Sequence, residues 1–278
     1  MGRVEGKVAF ITGAARGQGR SHAVRLAGEG ADIIAVDICE QIPGVPYAMS
    51  TPEDLEQTVH EVEKLGRRIV ARVADVRDPG QLENALRDGL AEFGRLDIVC
   101  ANAGIFGPLD PLPDIAARVA NFRLIVDVNL TGAYSTVEVC RQPLIDTGGG
   151  SVILTSSLAG LRRLGAGGGY AESKHGMVGL MRTLAGELAP YGVRVNSIHP
   201  TNVDTPMIMN DTISRAFRPD LENPTKEEVE QALSFLNLIP VPFVDSGDVS
   251  NAVLWLASDE SRYITGVTLP VDAGGAIK

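Results

Sequence analysis

The sequence predicts an α/β fold: one doubly wound, mostly parallel sheet of about seven strands with helices on both faces. Three observations carry this expectation. Apolar runs of strand length alternate with helical stretches from Lys7 to Val271. The first run ends in a glycine-rich turn that opens a helix. The 278-residue chain is 44% hydrophobic and only 5% aromatic, so small side chains are available to let helices lie close on a sheet.

Lys7 to Thr12 reads as the first strand, and a helix follows to about Glu29. Asp32 to Val36 is the second strand, ending on Asp37. Residues 38–52 carry three prolines and a glycine without periodicity, so they read as an inserted loop, longer than the ~2–6 residues usual for such a connection. Thr51-Pro52-Glu53-Asp54 has the composition of a helix start, with the helix stopping at Gly66. Arg68 to Val73 is the third strand, and Asp78-Pro79 opens a helix that ends at Gly94. Asp97 to Cys100 is the fourth strand. Asp114 to about Leu144 is mostly helical, with Asn129 near its middle. Asparagine is locally unfavourable there and fits a helix whose hydrogen-bond ladder opens around a bound water. Val152 to Thr155, a helix from Tyr170 to about Tyr191, and Val193 to Ile198 follow. Residues 202–242 mix apolar side chains with prolines and read as a partly helical excursion, either a lid over an apolar ligand or a peripheral helix pair. Ser246 to Ser258 is a last helix and Thr268 to Val271 a last strand. The expectation is one domain over residues 1–278.

Composition excludes several classes. A net charge of −10 argues against nucleic acid and anionic membrane as partners. Three widely spaced cysteines fit neither a disulfide framework nor a metal motif, so no metal is expected. The N-terminal stretch has no signal-peptide pattern, and no apolar run approaches the ~18 residues of a membrane span, so a soluble, cytoplasmic protein is expected.

Chemistry is concentrated in a few places. Glycines at the strand–turn–helix junction let a backbone approach a pyrophosphate, and the helix N-terminus supplies free N–H groups. The spacing here is GxxxGxG rather than GxGxxG. Asp37, about 20 residues on, is placed to accept from a ribose 2′-hydroxyl and to repel a 2′-phosphate, which favours NAD over NADP. Tyr170 and Lys174 are four apart, on one face of a helix. An ammonium beside a phenol is expected to pull the tyrosine pKa down from about 10 and fit it to move a proton to or from an alcohol oxygen. Ser157, thirteen residues upstream at a strand end, can converge on the same oxygen.

Thr12 to Gly19 (TGAARGQG), Asn102-Ala103-Gly104, Asn129, Ser157 and Tyr170 to Lys174 (YAESK) together resemble the short-chain dehydrogenase/reductases, over essentially the whole chain. The resemblance implies a Rossmann fold and an NAD-dependent oxidoreductase interconverting a secondary alcohol and its ketone. It implies Tyr170 as acid/base, Lys174 lowering its pKa and holding the nicotinamide ribose, Ser157 binding the substrate oxygen, and Asn129 carrying a proton-relay water. For the cofactor it implies Gly13, Arg16, Gly17, Gln18 and Gly19 at the pyrophosphate and Asp37 at the adenine ribose. Asp75 and Val76 would meet the adenine, and Asn102, Ala103 and Gly104 the ribose region. Pro200, Val203 and Thr205 would lie at the nicotinamide. The chain has Pro200-Thr201 where the family often has Pro-Gly. A homotetramer is implied as well. The segment after Asp37 resembles more narrowly the carveol dehydrogenase-like, mycofactocin-associated actinobacterial branch. That implies a cyclic or terpenoid alcohol, and a cofactor that stays bound and is reoxidised by an external redox carrier. The competing expectations are a reductase of 3-oxoacyl thioesters, with Arg162 and Arg163 as a basic patch for an acidic carrier protein, and a non-catalytic NAD-binding protein.

Overall fold

Seven strands lie in the order β3-β2-β1-β4-β5-β6-β7, all parallel. They are β1 (Val8–Thr12), β2 (Asp32–Asp37), β3 (Ile69–Val73), β4 (Ile98–Ala101), β5 (Gly150–Thr155), β6 (Val193–Pro200) and β7 (Thr268–Val271). The structure is a computed structural model that describes residues 2–163 and 168–278. Residues 164–167, part of the connection between Ser157 and Tyr170, lie outside the described residues.

Strand alternation sorts the core into two layers. Val8, Phe10, Ile34 and Val36 face one side, covered by α3 (Pro79–Phe93), α5 (Gly132–Asp146) and α6 (Tyr170–Leu188). Ala9, Ile11, Ile33 and Ala35 face the other, covered by α1 (Gly17–Ala27), α2 (Pro52–Glu63) and α9 (Ser246–Ala257). Phe10, Ile33, Ile34, Ile153 and Leu154 are fully buried, each contributing about 1.5–3 kcal/mol on transfer from water. With both faces covered, the strands read as continuous apolar runs.

Local signals set the helix ends. Thr51 caps α2 reciprocally with Asp54, and Pro52 occupies the first turn. Asp78 caps α3, which stops at Gly94 in the left-handed conformation, φ 75°. The stretch expected to be mostly helical from Asp114 to about Leu144 is three pieces: α4 (Ile115–Val126), a π-helical turn over Asp127–Thr131, and α5. Asn129 sits in the π turn, so the ladder does open at that residue. The excursion carries two short helices, α7 (Asp211–Phe217) and α8 (Lys226–Ser234), and is pinned at its base by a Val203–Val244 bridge.

The chain runs β1, β2, β3 outward in one direction, then returns to place β4 on the other side of β1. Diverging connections leave a crevice beyond the C-terminal ends of β1 and β4, where open α/β sheets bind ligands.

Candidate active site

That crevice holds about 880 Å³ of empty space. Gly13, Arg16, Gly17, Gln18 and Gly19 line it, with Asp37, Asp75, Val76, Asn102, Ala103, Gly104 and Thr205. Gly13 has φ 67° and lies so near Ala103 that a Cβ there would sit 3.0 Å from the Ala103 Cα. A Cβ on Gly19 would run into the Gly13 carbonyl oxygen. Only glycines allow this close backbone cradle. Asp37, at the end of β2, is buried and accepts from the Ala15 N–H at 2.9 Å and from the Ser50 hydroxyl at 2.6 Å. The carboxylates of Asp75 and Asp37 thus stand at two points along one wall. Asp75 pairs with Arg77.

The inserted loop covers this crevice. Ile38, Ile42, Tyr47, Met49 and Ser50 join its lining. Gln41 organises the loop from inside: its amide donates to the carbonyls of Ile42, Val45 and Tyr47 and accepts from the Met49 N–H. Arg16 donates to the Ala48 carbonyl, tying the loop to the glycine-rich turn. The Tyr47 ring stacks on Phe106, centroids 4.8 Å apart. The cover therefore extends beyond the neighbourhood of Asp37 as far as the next cavity.

That second cavity is open and larger, about 1860 Å³. Ser157 and Tyr170 face it together with apolar residues that include Phe106, Leu109, Met207, Ile208, Ile213, Phe217 and Leu236. Met207 lines both spaces. Asn129 and Lys174 stand behind the junction: a Cβ on Gly104 would lie 3.4 Å from Asn129 Oδ1 and 3.5 Å from Lys174 Nζ. The four sequence candidates for catalysis are thus brought together from β5, the π turn and α6.

Each is held. Lys174 Nζ donates to the Thr155 carbonyl at 2.9 Å, and the Ser156 hydroxyl donates to the Lys174 carbonyl at 2.9 Å. Asn129 grips Ile105 through both of its backbone groups, at 2.8 and 2.9 Å, and donates to the Ser173 hydroxyl at 3.1 Å. The Ser157 hydroxyl accepts from Ala159 N–H at the start of a 3₁₀ turn. Pro200 and Val203 are buried behind the site and line neither cavity. Thr201, standing where the family often has glycine, donates to the buried Asn237 at 2.8 Å and so ties the excursion to the end of β6.

One expectation is corrected. Lys174 does not depress Tyr170 here. Burial raises the Tyr170 pKa, and the hydrogen bond with Ser157 offsets this only in part. The ammonium stands over the ring face, 5.7 Å from its centroid, and burial pushes its own pKa down to about 8. Desolvation outweighs the charge pairing that sequence spacing suggested. At neutral pH the corner holds a protonated phenol beside an ammonium.

His199 was not singled out by sequence reasoning. It is fully buried on β6, and its Nδ1 lies 2.9 Å from the Ser157 carbonyl. Only the pairing of β5 with β6 brings the two together, so no local pattern announces it. Of the two arginines considered as a basic patch, Arg162 is spent on the Gly275 carbonyl, and Arg163 is exposed. No helix among the described residues is long and apolar enough to cross a membrane.

Comparison with known proteins agrees with this geometry. Residues 13–275 match a family model described as enoyl-(acyl carrier protein) reductase. A (−)-trans-carveol dehydrogenase from Rhodococcus erythropolis is 51% identical over 280 residues, covering 100% of both chains. Levodione reductase from Leifsonia aquatica is 34% identical over 98% of this chain and 95% of its own length. The crystal structure of carveol dehydrogenase from Mycobacterium avium in complex with NAD superposes with a TM-score of 0.95 at 51% identity, covering 100% of each chain.

Proposed function

Because the chain belongs to the short-chain dehydrogenase/reductase family, we propose that it is an NAD-dependent enzyme interconverting a secondary alcohol and its ketone, with Tyr170 as the acid/base. The observation that carries this is the meeting of the Ser157 and Tyr170 side chains on the wall of an apolar cavity, beside Lys174 and next to a glycine-lined crevice.

The crevice fits a dinucleotide. Its glycine cradle would close if Gly19 carried a Cβ, and Gln18 Oε1 and the Tyr47 hydroxyl are buried there without hydrogen-bond partners. Such orphaned groups are costly unless a ligand meets them. Gly13, Arg16, Gly17, Gln18 and Gly19 would hold the pyrophosphate, Asp37 the adenine ribose, and Asp75 and Val76 the adenine. Asn102, Ala103, Gly104 and Lys174 would hold the second ribose, with Pro200, Val203 and Thr205 at the nicotinamide end. When bound, the dinucleotide supplies the acceptor or donor of hydride. Asp37 and the absence of Lys or Arg from residues 38–51 favour NAD over NADP.

The protein's own task is orientation and proton movement. Ser157 positions the substrate oxygen. Tyr170, whose pKa burial moves further above neutrality, is set to donate to a ketone oxygen; in the alcohol direction its phenolate accepts the hydroxyl proton. Lys174 offers donors beyond the one spent on Thr155 for a ribose hydroxyl, and its ammonium lies over the Tyr170 ring face. Asn129 orders the π turn through which a relay water connects Lys174 to solvent.

Residues 202–242 act as a lid whose Met207, Ile208 and Phe217 contact an apolar substrate, and the cavity is roomy enough for a cyclic or terpenoid alcohol. Residues 38–52 slow release of NAD, which an external redox carrier then reoxidises in place. The enzyme is cytoplasmic and homotetrameric. The exposed apolar residues Ile115, Val119 and Phe122 of α4 and Tyr134 of α5 are suited to a subunit interface. A 3-oxoacyl-thioester reductase is less well supported, since Arg162 is engaged internally.

The test is made on the protein as purified. It is denatured, any released nucleotide is identified by mass, and turnover of a cyclic secondary alcohol is compared with free NAD and with an artificial electron acceptor. NAD recovered at near one per chain with turnover on the acceptor alone is expected. Turnover with free NAD on protein purified empty removes the retained-cofactor part. No alcohol or ketone turnover under either condition overturns the reading.

A further inference from the structure

The end of β6 carries an imidazole that the reaction as described does not use. His199 has no exposed surface. Its Nδ1 faces the Ser157 carbonyl oxygen at 2.9 Å, and its Nε2 faces the Ser197 hydroxyl at 2.8 Å. The tautomer follows from the partners. A carbonyl can only accept, so the proton belongs on Nδ1, and Nε2 accepts from the Ser197 hydroxyl. Ser197 is itself fully buried, so solvent does not compete for that bond.

The Ser157 carbonyl also accepts from Gly160 N–H at 2.9 Å, which closes the 3₁₀ turn over Leu158–Gly160. Two donors therefore hold this one peptide. The preceding residue is fixed as well, with Ser156 N–H donating to the Ile198 carbonyl at 2.9 Å and the Ser156 hydroxyl to the Lys174 carbonyl at 2.9 Å. The Ser157 side chain points from this clamp into the substrate cavity beside Tyr170.

We propose that His199 is a positioning residue: as its neutral Nδ1–H tautomer, selected by the Ser157 carbonyl and complemented by the Ser197 hydroxyl at Nε2, it holds the Ser157 backbone so that the Ser157 hydroxyl meets the substrate oxygen together with Tyr170. This rests on the function proposed above for Ser157 and Tyr170. The surroundings keep the ring neutral. Burial holds its pKa down to about 4, and Lys174 and His175 add to that, against the opposing influence of Asp272 and of the Ser157 carbonyl bond. With Nδ1 on the Ser157 carbonyl and Nε2 on the Ser197 hydroxyl, the ring has no nitrogen free to exchange the substrate proton.

The test has two arms on the full-length chain. In the first, ¹⁵N NMR of the His199 ring reads the tautomer without reference to activity. The Nδ1–H form is expected in the wild type and also in Ser197→Ala, where the Ser157 carbonyl still takes that proton; an Nε2–H form in the wild type overturns the proposal. In the second, steady-state kinetics with a cyclic secondary alcohol compare His199→Leu and His199→Asn. Leucine removes the donor, and kcat should fall about tenfold or more with KM for the alcohol changed little and bound NAD retained. Asparagine can present an amide N–H near the Nδ1 position and should recover most of kcat. Unchanged kcat in His199→Leu, or His199→Asn no better than His199→Leu, overturns the proposal. If the wild type has the Nδ1–H ring but no alcohol or ketone turnover, the failure lies with the proposed function, and the NMR arm still decides whether the clamp exists.

Discussion

The corner around Tyr170 and the cover made by residues 38–51 adjoin, and they are built in opposite ways. The corner draws on regular elements, β5, β6 and α6, and its polar groups are bonded to backbone: Lys174 to Thr155, Ser156 to Lys174, Asn129 to Ile105. The cover has no ladder of its own. One glutamine side chain, Gln41, strings it together, contacts from Arg16 to Ala48, from Ser50 to Asp37 and between the Tyr47 and Phe106 rings hold it down, and the Tyr47 hydroxyl is left buried without a partner. Groups that must meet a reacting atom need fixed geometry. Groups that must admit and retain a cofactor need a cover that can let go.

The largest effect expected from breaking this contrast is in the corner. Tyr170→Phe should lower turnover about 10³-fold or more. NAD should remain bound, because the glycine cradle and Asp37 are untouched; turnover assays and nucleotide content after denaturation check both. In the cover, deleting Gln41 to Met49 should raise the rate of NAD dissociation about tenfold or more, seen by stopped-flow fluorescence, while leaving the protein folded. Unchanged release would remove the retaining role of the loop.

Smaller effects sharpen the comparison. In the proposed reaction alcohol oxidation uses the Tyr170 phenolate, and burial raises that pKa. Oxidation rates should therefore climb as pH rises towards and through the Tyr170 pKa, whereas ketone reduction, which needs the phenol, should fall over the same range. The body of the fold also carries an acid-sensitive group. His22 is fully buried between α1 and α9, with its pKa lowered by burial to about 3. Its folded pKa lies below the unfolded value of about 6.5, so the neutral form's contribution is complete above that value and is lost as pH falls through it towards 3. Unfolding at pH 5.5 should show a loss of roughly 1–1.5 kcal/mol from this group, absent in a variant such as His22→Gln that still folds.

Much of this molecule is legible in the chain. The β/α alternation gives the sheet, because each apolar run is too short for a helix and helices such as α2 and α3 announce an end, as Thr51 and Gly94 do. Asn129 marks the place where the long helix opens. The rest depends on distance in space. His199 meets Ser157 only across paired strands. The Thr201–Asn237 bond joins residues 36 apart, and its partner could not be read from Pro-Thr alone. The state of Tyr170 was misjudged because spacing reveals a neighbouring charge but not how much water the fold removes from both groups.

The π turn at Asp127–Thr131 also sets a phase. Each residue in an α-helix turns the chain by about 100°, and a π turn holds one residue more than its neighbours need. The buried stripe of α5, Ala133, Val137, Cys140 and Leu144, faces the sheet only because that extra residue precedes it. Gly132 lies tight against Val76, where a Cβ would sit 2.6 Å from the Val76 Cγ2. Losing one residue anywhere in the turn would mend the helix and rotate α5 by more than a quarter turn, swinging the stripe outward. The segment should thus accept substitutions far more readily than any change in length.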